Sequence, residues 1–148
     1  MIEYHENTDL FKIDTEAICH GVNIRGVAGG LAHSVFERFP ENYESYQSAC
    51  STGRLAPGAM MSHFENGQWV YNLATQQEPG PDAKIDLVEQ AFVAMRAHAI
   101  KTKVKSIGCP QVGSGIGGLQ WSDVDKAIRR VWSQAHGIGL HIVTRDTF

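Results

Sequence analysis

Apolar residues fall into runs that alternate between the spacing of strands and the spacing of helices. Continuous apolar runs predict strands buried on both faces, and spacings of three and four residues predict helices with one buried face. The predicted strands are residues 2–5, 17–23, 58–64, 68–73, 105–112 and 140–144. The predicted helices are residues 31–39, 43–51 and 82–101, and a last one that begins at 121 and ends before Gly137.

Turn and capping residues separate these elements. Asn66-Gly67 between two strand-like runs predicts a hairpin. Asp82 is predicted to cap the third helix, and Ser122 with Asp125 resembles a capping box at the start of the last helix. Strands and helices otherwise alternate, so we predict one α/β domain over residues 1–148. Its expected architecture is a three-layer α/β/α sandwich around a mixed, mostly parallel sheet.

Two glycine-rich loops each lead from a predicted strand into a predicted helix. Residues 20–32 read HGVNIRGVAGGLA, and residues 113–121 read GSGIGGLQW. Glycine permits a positive φ and a close approach of the backbone to a ligand. The N–H groups of such a loop and of the following helix start attract an anion. Two loops of this kind predict a ligand with more than one phosphate, held from two sides.

Composition narrows the class of protein. The 148 residues are 43% hydrophobic and 20% charged, with a net charge of −3, so bulk attraction to nucleic acid or to a membrane is not expected. The longest apolar runs are too short to span a bilayer, and the first residues lack the pattern of a signal peptide. Three widely spaced cysteines indicate reduced thiols and a cytoplasmic location. Seven scattered histidines form no zinc-binding pattern, so we expect neither a metal nor a cofactor.

Three catalytic classes are disfavoured by spacing. The first is an NAD(P) oxidoreductase. The dinucleotide fingerprint is matched formally by Gly113, Gly115 and Gly118, but a Rossmann unit also requires an acidic residue at the end of the next strand, and none is present there. A serine hydrolase needs a Gly-x-Ser-x-Gly elbow that leads into a helix, which is missing. A cysteine nucleophile needs a histidine close to its thiol. Cys19 precedes His20 in the sequence, but adjacent residues of a strand point to opposite faces.

The residues themselves offer three candidate catalytic positions. His20 ends a buried strand and is either a general base or a core histidine with a satisfied hydrogen bond. Asn23 either bonds a sugar hydroxyl or shapes the turn in a left-handed conformation. Gln76 lies at a strand end, where active-site side chains of α/β folds gather. It does not titrate, so it can orient a reacting group but cannot act as a base.

Several of these motifs together resemble a macro domain in order and spacing. They are Asp9-Leu10-Phe11, the loop at residues 20–32, Phe39-Pro40 and the loop at residues 113–121. The ending GxGxGGLxW is similar to that of one branch, which includes terminal ADP-ribose protein glycohydrolases and antitoxins that remove ADP-ribose from DNA. The resemblance covers nearly the whole chain. It implies the three-layer fold and, as the partner, ADP-ribose or an ADP-ribosylated macromolecule.

The resemblance also implies roles for individual residues. Asp9 would receive the adenine amino group, and Asn23 with residues 29–30 would line the distal ribose and the diphosphate. The second loop would wrap the diphosphate from the other side. The implied ligand-binding residues are Asp9, Leu10, Asn23, Gly26, Gly29, Gly30, Leu31, Gly113, Ser114, Gly115, Ile116, Gly117 and Gly118.

Two positions depart from that branch. Gln76 stands where a lysine commonly follows the strand and attacks or activates the sugar C1″, and Gly117 stands where some members carry an aspartate. Lys84 is near in sequence but belongs to the next predicted helix, so we do not assign it the lysine's role.

Three functions are therefore left open. The first is a hydrolase that removes ADP-ribose from protein carboxylates or a related ester, with water positioned by the diphosphate and the loop amides. The second is a module that binds ADP-ribose without turnover. The third is a phosphatase for ADP-ribose 1″-phosphate with His20 as the base, since the yeast-type enzyme also has a histidine three residues before the loop asparagine. A monomer is expected by default.

Overall fold

The computed structural model describes residues 1–135 and 137–144, and within them a six-stranded sheet lies between two pairs of helices. The strands are β1 (Ile2–Glu6), β2 (Ala17–Val22), β3 (Met60–Glu65), β4 (Gln68–Ala74), β5 (Ser106–Cys109) and β6 (Gly139–Thr144). The helices are α1 (Leu31–Arg38), α2 (Pro40–Ser51), α3 (Ile85–Thr102) and α4 (Trp121–Trp132). A 3-10 turn covers Leu10–Lys12.

The sheet is mixed and mostly parallel, as predicted. Its strand order is β1-β6-β5-β2-β4-β3, and each neighbouring pair is parallel except β3 with β4. The antiparallel pair is the predicted hairpin. Asn66 and Gly67 at its turn have φ values of 53° and 74°, which matches the positive φ that a tight hairpin requires.

Alternate residues of the central strands pack into hydrophobic clusters on opposite faces of the sheet. Ala17 and Cys19 of β2 pack with α3 and α4, in a cluster that includes Phe92 and Ile128. Val22, three residues after Cys19, packs on the opposite face with α1 and α2. The predicted three-layer sandwich is confirmed. None of the helices in residues 1–135 and 137–144 has the length and apolar character needed to cross a bilayer.

Two of the predicted helix caps are wrong. Asp82 does not cap α3, because its Oδ2 accepts the backbone N–H groups of Gln77 and Glu78 at 3.0 and 2.9 Å instead. The proposed box of Ser122 and Asp125 does not form, since α4 begins at Trp121 without a side-chain cap. In each case the carboxylate of the predicted cap is bound elsewhere; Asp125, for example, accepts the hydroxyl of Tyr4 at 2.7 Å.

Element ends also differ from the prediction. Helix α2 begins at Pro40, three residues early, because the Glu65 carboxylate accepts the N–H groups of Glu41 and Asn42 at its first turn. Strand β5 stops at Cys109, since Pro110 has no N–H to donate to a neighbouring strand. Helix α4 ends at Trp132, and Gly139 already belongs to β6.

Candidate functional site

A cleft lies at the carboxyl ends of β2, β4 and β5, where the two glycine loops face each other. It comprises two adjoining cavities of about 530 and 640 Å³, which share Gly30, Leu31, Pro110 and Gln111 in their walls. Small-molecule sites in proteins commonly have volumes of about 300–1,000 Å³. The carboxyl edge of a parallel sheet is also where α/β folds place their ligands.

The first cavity is built on the 3-10 turn and one face of α1. Asp9 fixes the turn, because its Oδ1 accepts the N–H of Phe11 at 3.0 Å. The guanidinium of Arg38 lies 4.1 Å from the centroid of the Phe11 ring. The lining residues are Asp9, Leu10, Phe11, Gly30, Leu31, Ser34, Glu37, Arg38, Pro110, Gln111 and Val143.

Sequence reasoning predicted Asp9 and Leu10 for this cavity but missed its helical wall. Ser34, Glu37 and Arg38 stand three, six and seven residues after Leu31, which is the spacing of a single helix face. The polar residues at helical spacing along α1 were the signal that could have identified this wall.

The second cavity lies between the two glycine loops and is poor in charge. Its lining residues are His20, Gly21, Gly30, Leu31, Ala32, Thr75, Gln76, Pro110, Gln111, Val112, Gly113, Ser114, Gly115, Ile116 and Gly117. His20 is the one titratable side chain among them. Among the residues that the structure describes, this lining contains no lysine, arginine or carboxylate, so an anion here would be held by backbone groups.

The backbone provides such groups. Gly113 and Gly118 have φ values of 76° and 82°, which turn the second loop around the cavity. In the part of the chain that the structure describes, the N–H groups of residues 115–117 donate to no protein acceptor. Across the cavity, α1 begins at Leu31 and directs its unpaired first-turn N–H groups and its positive dipole end to the same space.

Four of the predicted site residues are not among the lining residues of either cavity: Asn23, Gly26, Gly29 and Gly118. Asn23 braces the first loop: its Nδ2 donates to Val27 O at 2.9 Å, and its Oδ1 accepts the N–H of Arg25 at 2.9 Å. It does so without a positive φ, so the left-handed conformation considered from sequence is wrong. The carboxylate of Glu78 accepts Arg25 Nε at 2.7 Å and thereby ties this loop to the one after β4.

His20 is fully buried in the floor of the second cavity. Its Nε2 lies 2.7 Å from Asn72 Oδ1, and its ring packs edge-on against Phe36 with centroids 5.1 Å apart. Burial lowers the pKa of His20 to about 4, although the hydrogen bond with Asn72 opposes the shift. Within the described residues its buried Nδ1 has no hydrogen-bond partner.

Asn72 determines which nitrogen of His20 carries the proton. Its Oδ1 also accepts Nδ2 of Asn42 at 3.1 Å, while its own Nδ2 donates to Asn42 Oδ1 and to Met61 O. Since Oδ1 can only accept, we assign the proton to Nε2 of His20 and a lone pair to Nδ1. Sequence reasoning missed Asn72, and the signal was a polar residue inside an apolar central strand.

Gln76 lies in the cavity wall but is engaged by its own loop. Its Nε2 donates to the carbonyl oxygens of Glu78 and Gly80 at 2.6 and 2.8 Å, which fixes the turn after β4. Lys84 lies outside both cavities, largely exposed, 3.7 Å from the Asp82 carboxylate. It therefore does not replace the lysine that the resemblance leads one to expect at Gln76.

Gly117 has no room for a side chain. A Cβ built there would lie 2.7 Å from the carbonyl oxygen of Gly113 and 2.8 Å from the Cβ of Ala83. The loop is therefore closed around a glycine at the position where some members of the resembling branch have an aspartate.

The cysteines take no part in the cleft. Cys19 packs on the α3–α4 side of the sheet while His20 contacts Phe36 of α1, which confirms that the two side chains point to opposite faces. Burial raises the pKa of the Cys109 thiol well above its usual value, and the neighbouring Cys19 adds to the shift.

Potential metal ligands also gather away from the cleft. Among residues 1–135 and 137–144, two clusters of three such side chains occur, Glu3 with His5 and His141, and Glu41 with His63 and Glu65. None of the six residues lines either cavity.

Comparison with known sequences assigns most of this chain to one family. The model of the Macro domain family matches residues 17–128. A DNA ADP-ribosyl glycohydrolase of Mycobacterium tuberculosis is 28% identical over 139 residues, which cover 90% of this chain and 39% of that protein. The chain therefore corresponds to less than half of that relative. Human ADP-ribose glycohydrolase OARD1 is 27% identical over 139 residues, covering 92% of this chain and 87% of the human protein.

Solved structures share the fold. The macrodomain of Thermus aquaticus DarG superposes with a TM-score of 0.87 at 24% identity, over 97% of both chains. Thermosipho africanus DarTG in complex with ADP-ribose superposes with a TM-score of 0.82 at 26% identity, over 92% of this chain and 39% of the other.

Proposed function

Because this chain belongs to the macro-domain family, we propose that it binds ADP-ribose in the cleft between its two glycine loops and hydrolyses ADP-ribosyl linkages there. The observation that carries the proposal is the pair of adjoining cavities that share Gly30 and Leu31 at the start of α1. One cavity has a carboxylate and an aromatic ring suited to a base, and the other has backbone donors suited to a diphosphate.

Related proteins support both parts of the proposal. The Thermosipho africanus structure contains ADP-ribose, and the mycobacterial and human relatives are both named as ADP-ribosyl or ADP-ribose glycohydrolases. The orientation that we propose places adenine against Phe11 with its amino group towards Asp9. The diphosphate then lies between the N-terminus of α1 and residues 115–117, and the distal ribose lies over His20.

The chemistry that we propose depends on water and on the ligand, since the described residues that line the second cavity include no lysine and no carboxylate. Water oxygen bonds to C1″ of the distal ribose, and the bond from C1″ to the linked carboxylate oxygen breaks. The carboxylate leaves with the bonding electrons, and the proton of the water passes to a diphosphate oxygen and then to solvent. The loop N–H groups hold the diphosphate so that the water is positioned near C1″.

Two other functions of the same site have specific support. Gln76 is held by two carbonyl groups and cannot act as a nucleophile, which favours a module that binds without turnover. His20 places a neutral ring with an unpaired Nδ1 in the cavity floor, which favours a base for removal of a 1″-phosphate. The expectations of a monomer and of a cytoplasmic location stay predictions, and sedimentation velocity tests the first.

Calorimetric titration with ADP-ribose tests the binding step, with ADP as the matched ligand that lacks the distal ribose. We expect saturation with one equivalent of ADP-ribose and weaker binding of ADP. If ADP-ribose produces no heat and no shift in thermal unfolding, the ligand assignment is wrong.

Release assays on the same protein separate the three functions. The substrates are a protein ester-modified with ADP-ribose on acidic residues, DNA modified with ADP-ribose, and ADP-ribose 1″-phosphate. Free ADP-ribose from either macromolecule supports the hydrolase and identifies its target. Phosphate release that is lost in His20→Gln with binding intact identifies the phosphatase, and tight binding without any product identifies the binding module.

A further inference from the structure

Three potential metal ligands converge at the edge of the sheet formed by β1 and β6. His5 Nε2 lies 3.0 Å from His141 Nδ1, and Glu3 Oε2 lies 3.3 Å from the same His141 nitrogen. The third separation, between Glu3 Oε2 and His5 Nε2, is 3.8 Å. Three atoms that can each offer an electron pair to a metal ion thus form a compact triangle, contributed by two strands that are far apart in the sequence.

The strand pairing explains the convergence. Glu3 and His5 are two residues apart on β1, so their side chains point to the same face of the sheet. Glu3 pairs with His141 in the parallel register of β1 and β6, and His5 pairs with Val143. The three side chains therefore occupy adjacent positions of one pleated surface. Their exposed fractions are 50%, 33% and 20% for Glu3, His5 and His141, so an ion in solution can reach them.

The triangle has the size that a tetrahedral ion needs. Zinc bonds of about 2.0–2.2 Å place neighbouring ligand atoms about 3.3–3.6 Å apart in a tetrahedron. The three measured separations, from 3.0 to 3.8 Å, lie on either side of that range. Points about 2.1 Å from all three atoms lie slightly above and below the plane of the triangle, where a tetrahedral ion sits, so an ion fits with only small rotations of the side chains.

We propose that Glu3, His5 and His141 form a binding site for one divalent transition-metal ion of the zinc class, with a water molecule as the fourth ligand. Two imidazole nitrogens and one carboxylate oxygen suit zinc and its neighbours, and they are less suited to magnesium or calcium. The alternative is a plain hydrogen bond between the two imidazole rings, which requires no ion and predicts no metal uptake.

The position of the site indicates a role in holding β1. The three residues lie outside both cavities of the cleft, although His141 is two residues from Val143 in the wall of the first cavity. A bound ion joins edge strand β1 to β6 through side chains, in addition to the backbone pairing. Binding to the folded chain then raises its stability as the concentration of the ion rises.

The second cluster provides a matched control. In it, His63 Nε2 lies 3.9 and 3.8 Å from the carboxylates of Glu41 and Glu65. Both oxygens of Glu65, however, already accept N–H groups at the start of α2. The positive end of that helix disfavours a further cation there. This cluster has the same ligand types but is not expected to bind the ion.

Titration of untagged, chelator-treated protein with cobalt, followed by visible absorption and then by displacement with zinc, tests the proposal. We expect one equivalent of cobalt with the intense absorption of a tetrahedral site. His5→Gln and His141→Gln should each weaken binding by at least about tenfold and abolish that absorption, whereas His63→Gln should leave both unchanged. Zinc should raise the unfolding temperature of the wild type but not that of His5→Gln.

Because His5 is partly exposed, His5→Gln should have wild-type circular dichroism and thermal unfolding in the presence of chelator. Absence of saturable binding by the wild type overturns the proposal, and so does binding that disappears in His63→Gln but persists in His5→Gln. The outcome is independent of ADP-ribose binding, since neither ligand nor turnover enters the measurement.

Discussion

His20 and Asn72 are register partners on β2 and β4, and the 2.7 Å contact between their side chains fixes the chemistry of the cleft floor. Asn72 Oδ1 is the acceptor, so His20 keeps its proton on Nε2 and offers a lone pair at Nδ1. Burial then makes protonation of the ring unfavourable. The floor of the cavity is therefore neutral and polar at physiological pH, which suits a sugar hydroxyl or a water molecule.

The buried state of His20 predicts a loss of stability in acid. Its pKa is about 4 in the folded chain, against about 6.5 for an unfolded chain. Between these values the unfolded state binds the extra proton, so the free energy of unfolding falls as the pH drops from about 6.5 towards 4, by roughly 3 kcal/mol from this residue.

His20→Gln tests this assignment, because its amide can still donate to Asn72 but does not titrate. We expect urea unfolding to show a smaller loss of stability between pH 6.5 and pH 4 in the variant than in the wild type. Nitrogen chemical shifts of His20 should report the Nε2–H form at pH 7. Parallel stability curves for the two proteins, or a ring that protonates near pH 6, would contradict the assignment.

The second loop predicts opposite behaviour for two glycines that are two residues apart. A Cβ at Gly117 meets Gly113 O at 2.7 Å, whereas a Cβ at Gly115 meets nothing within 4 Å. Neither residue has a positive φ, so the difference is one of space alone. We expect Gly117→Ala to cost about 1–3 kcal/mol in the free energy of unfolding and Gly115→Ala to cost less than about 0.5 kcal/mol.

Urea unfolding of both variants makes the comparison directly. The same clash means that Gly117→Asp should not restore an aspartate of the resembling branch, but should distort the loop and weaken ADP-ribose binding. An aspartate variant with wild-type stability and raised turnover would show that the loop is less closed than its contacts indicate.

Gln76 is predicted to act on the loop rather than on the bond that breaks. Removing its amide leaves the carbonyl groups of Glu78 and Gly80 without their donor, which loosens the turn beside the cavity. We expect Gln76→Ala to weaken ADP-ribose binding about three- to tenfold, the range of one net hydrogen bond. Gln77→Ala, at the exposed neighbour, is the control in calorimetry and should bind as the wild type does.

The apolar pattern was sufficient to predict the six strands and four helices because each of them buries a local run of its own. Strand β2 has apolar residues at almost every position, which predicts a strand buried on both faces, and it lies between β5 and β4 in the interior of the sheet. The start of α2 was placed too late because Glu65, which accepts its first-turn N–H groups, is 23 residues away in the sequence. The box at α4 was mispredicted because Asp125 bonds Tyr4 across 121 residues, whereas Asp82 is taken up by the nearby N–H groups of Gln77 and Glu78.

The same limit applies to the sites. Glycine spacing and strand ends predicted the two loops, since an anion site of backbone N–H groups is local in sequence. Glycine spacing alone could not distinguish Gly115, where a side chain has open space, from Gly117, where it has none. Nor could any spacing rule bring together His5 and His141, which are 136 residues apart and meet only because β1 pairs with the last strand described.

Ile116 is the side chain that links the two loops across the cleft, and it predicts an effect on ligand exchange. Its Cδ1 lies 2.8 Å from the position of a Cβ on Gly30, yet the residue is 58% exposed. An exposed isoleucine contributes little to folding, but a bound ligand beneath it would be shielded from solvent. We expect Ile116→Ala to increase the dissociation rate of ADP-ribose about fivefold, the effect of losing about 1 kcal/mol of apolar contact, with stability unchanged.

Stopped-flow displacement measures the dissociation rate of ADP-ribose. The matched control is Ile100→Ala on α3, because Ile100 is 55% exposed and lies away from the cleft. Equal dissociation rates for the two variants would mean that the loops do not close over the ligand at this residue.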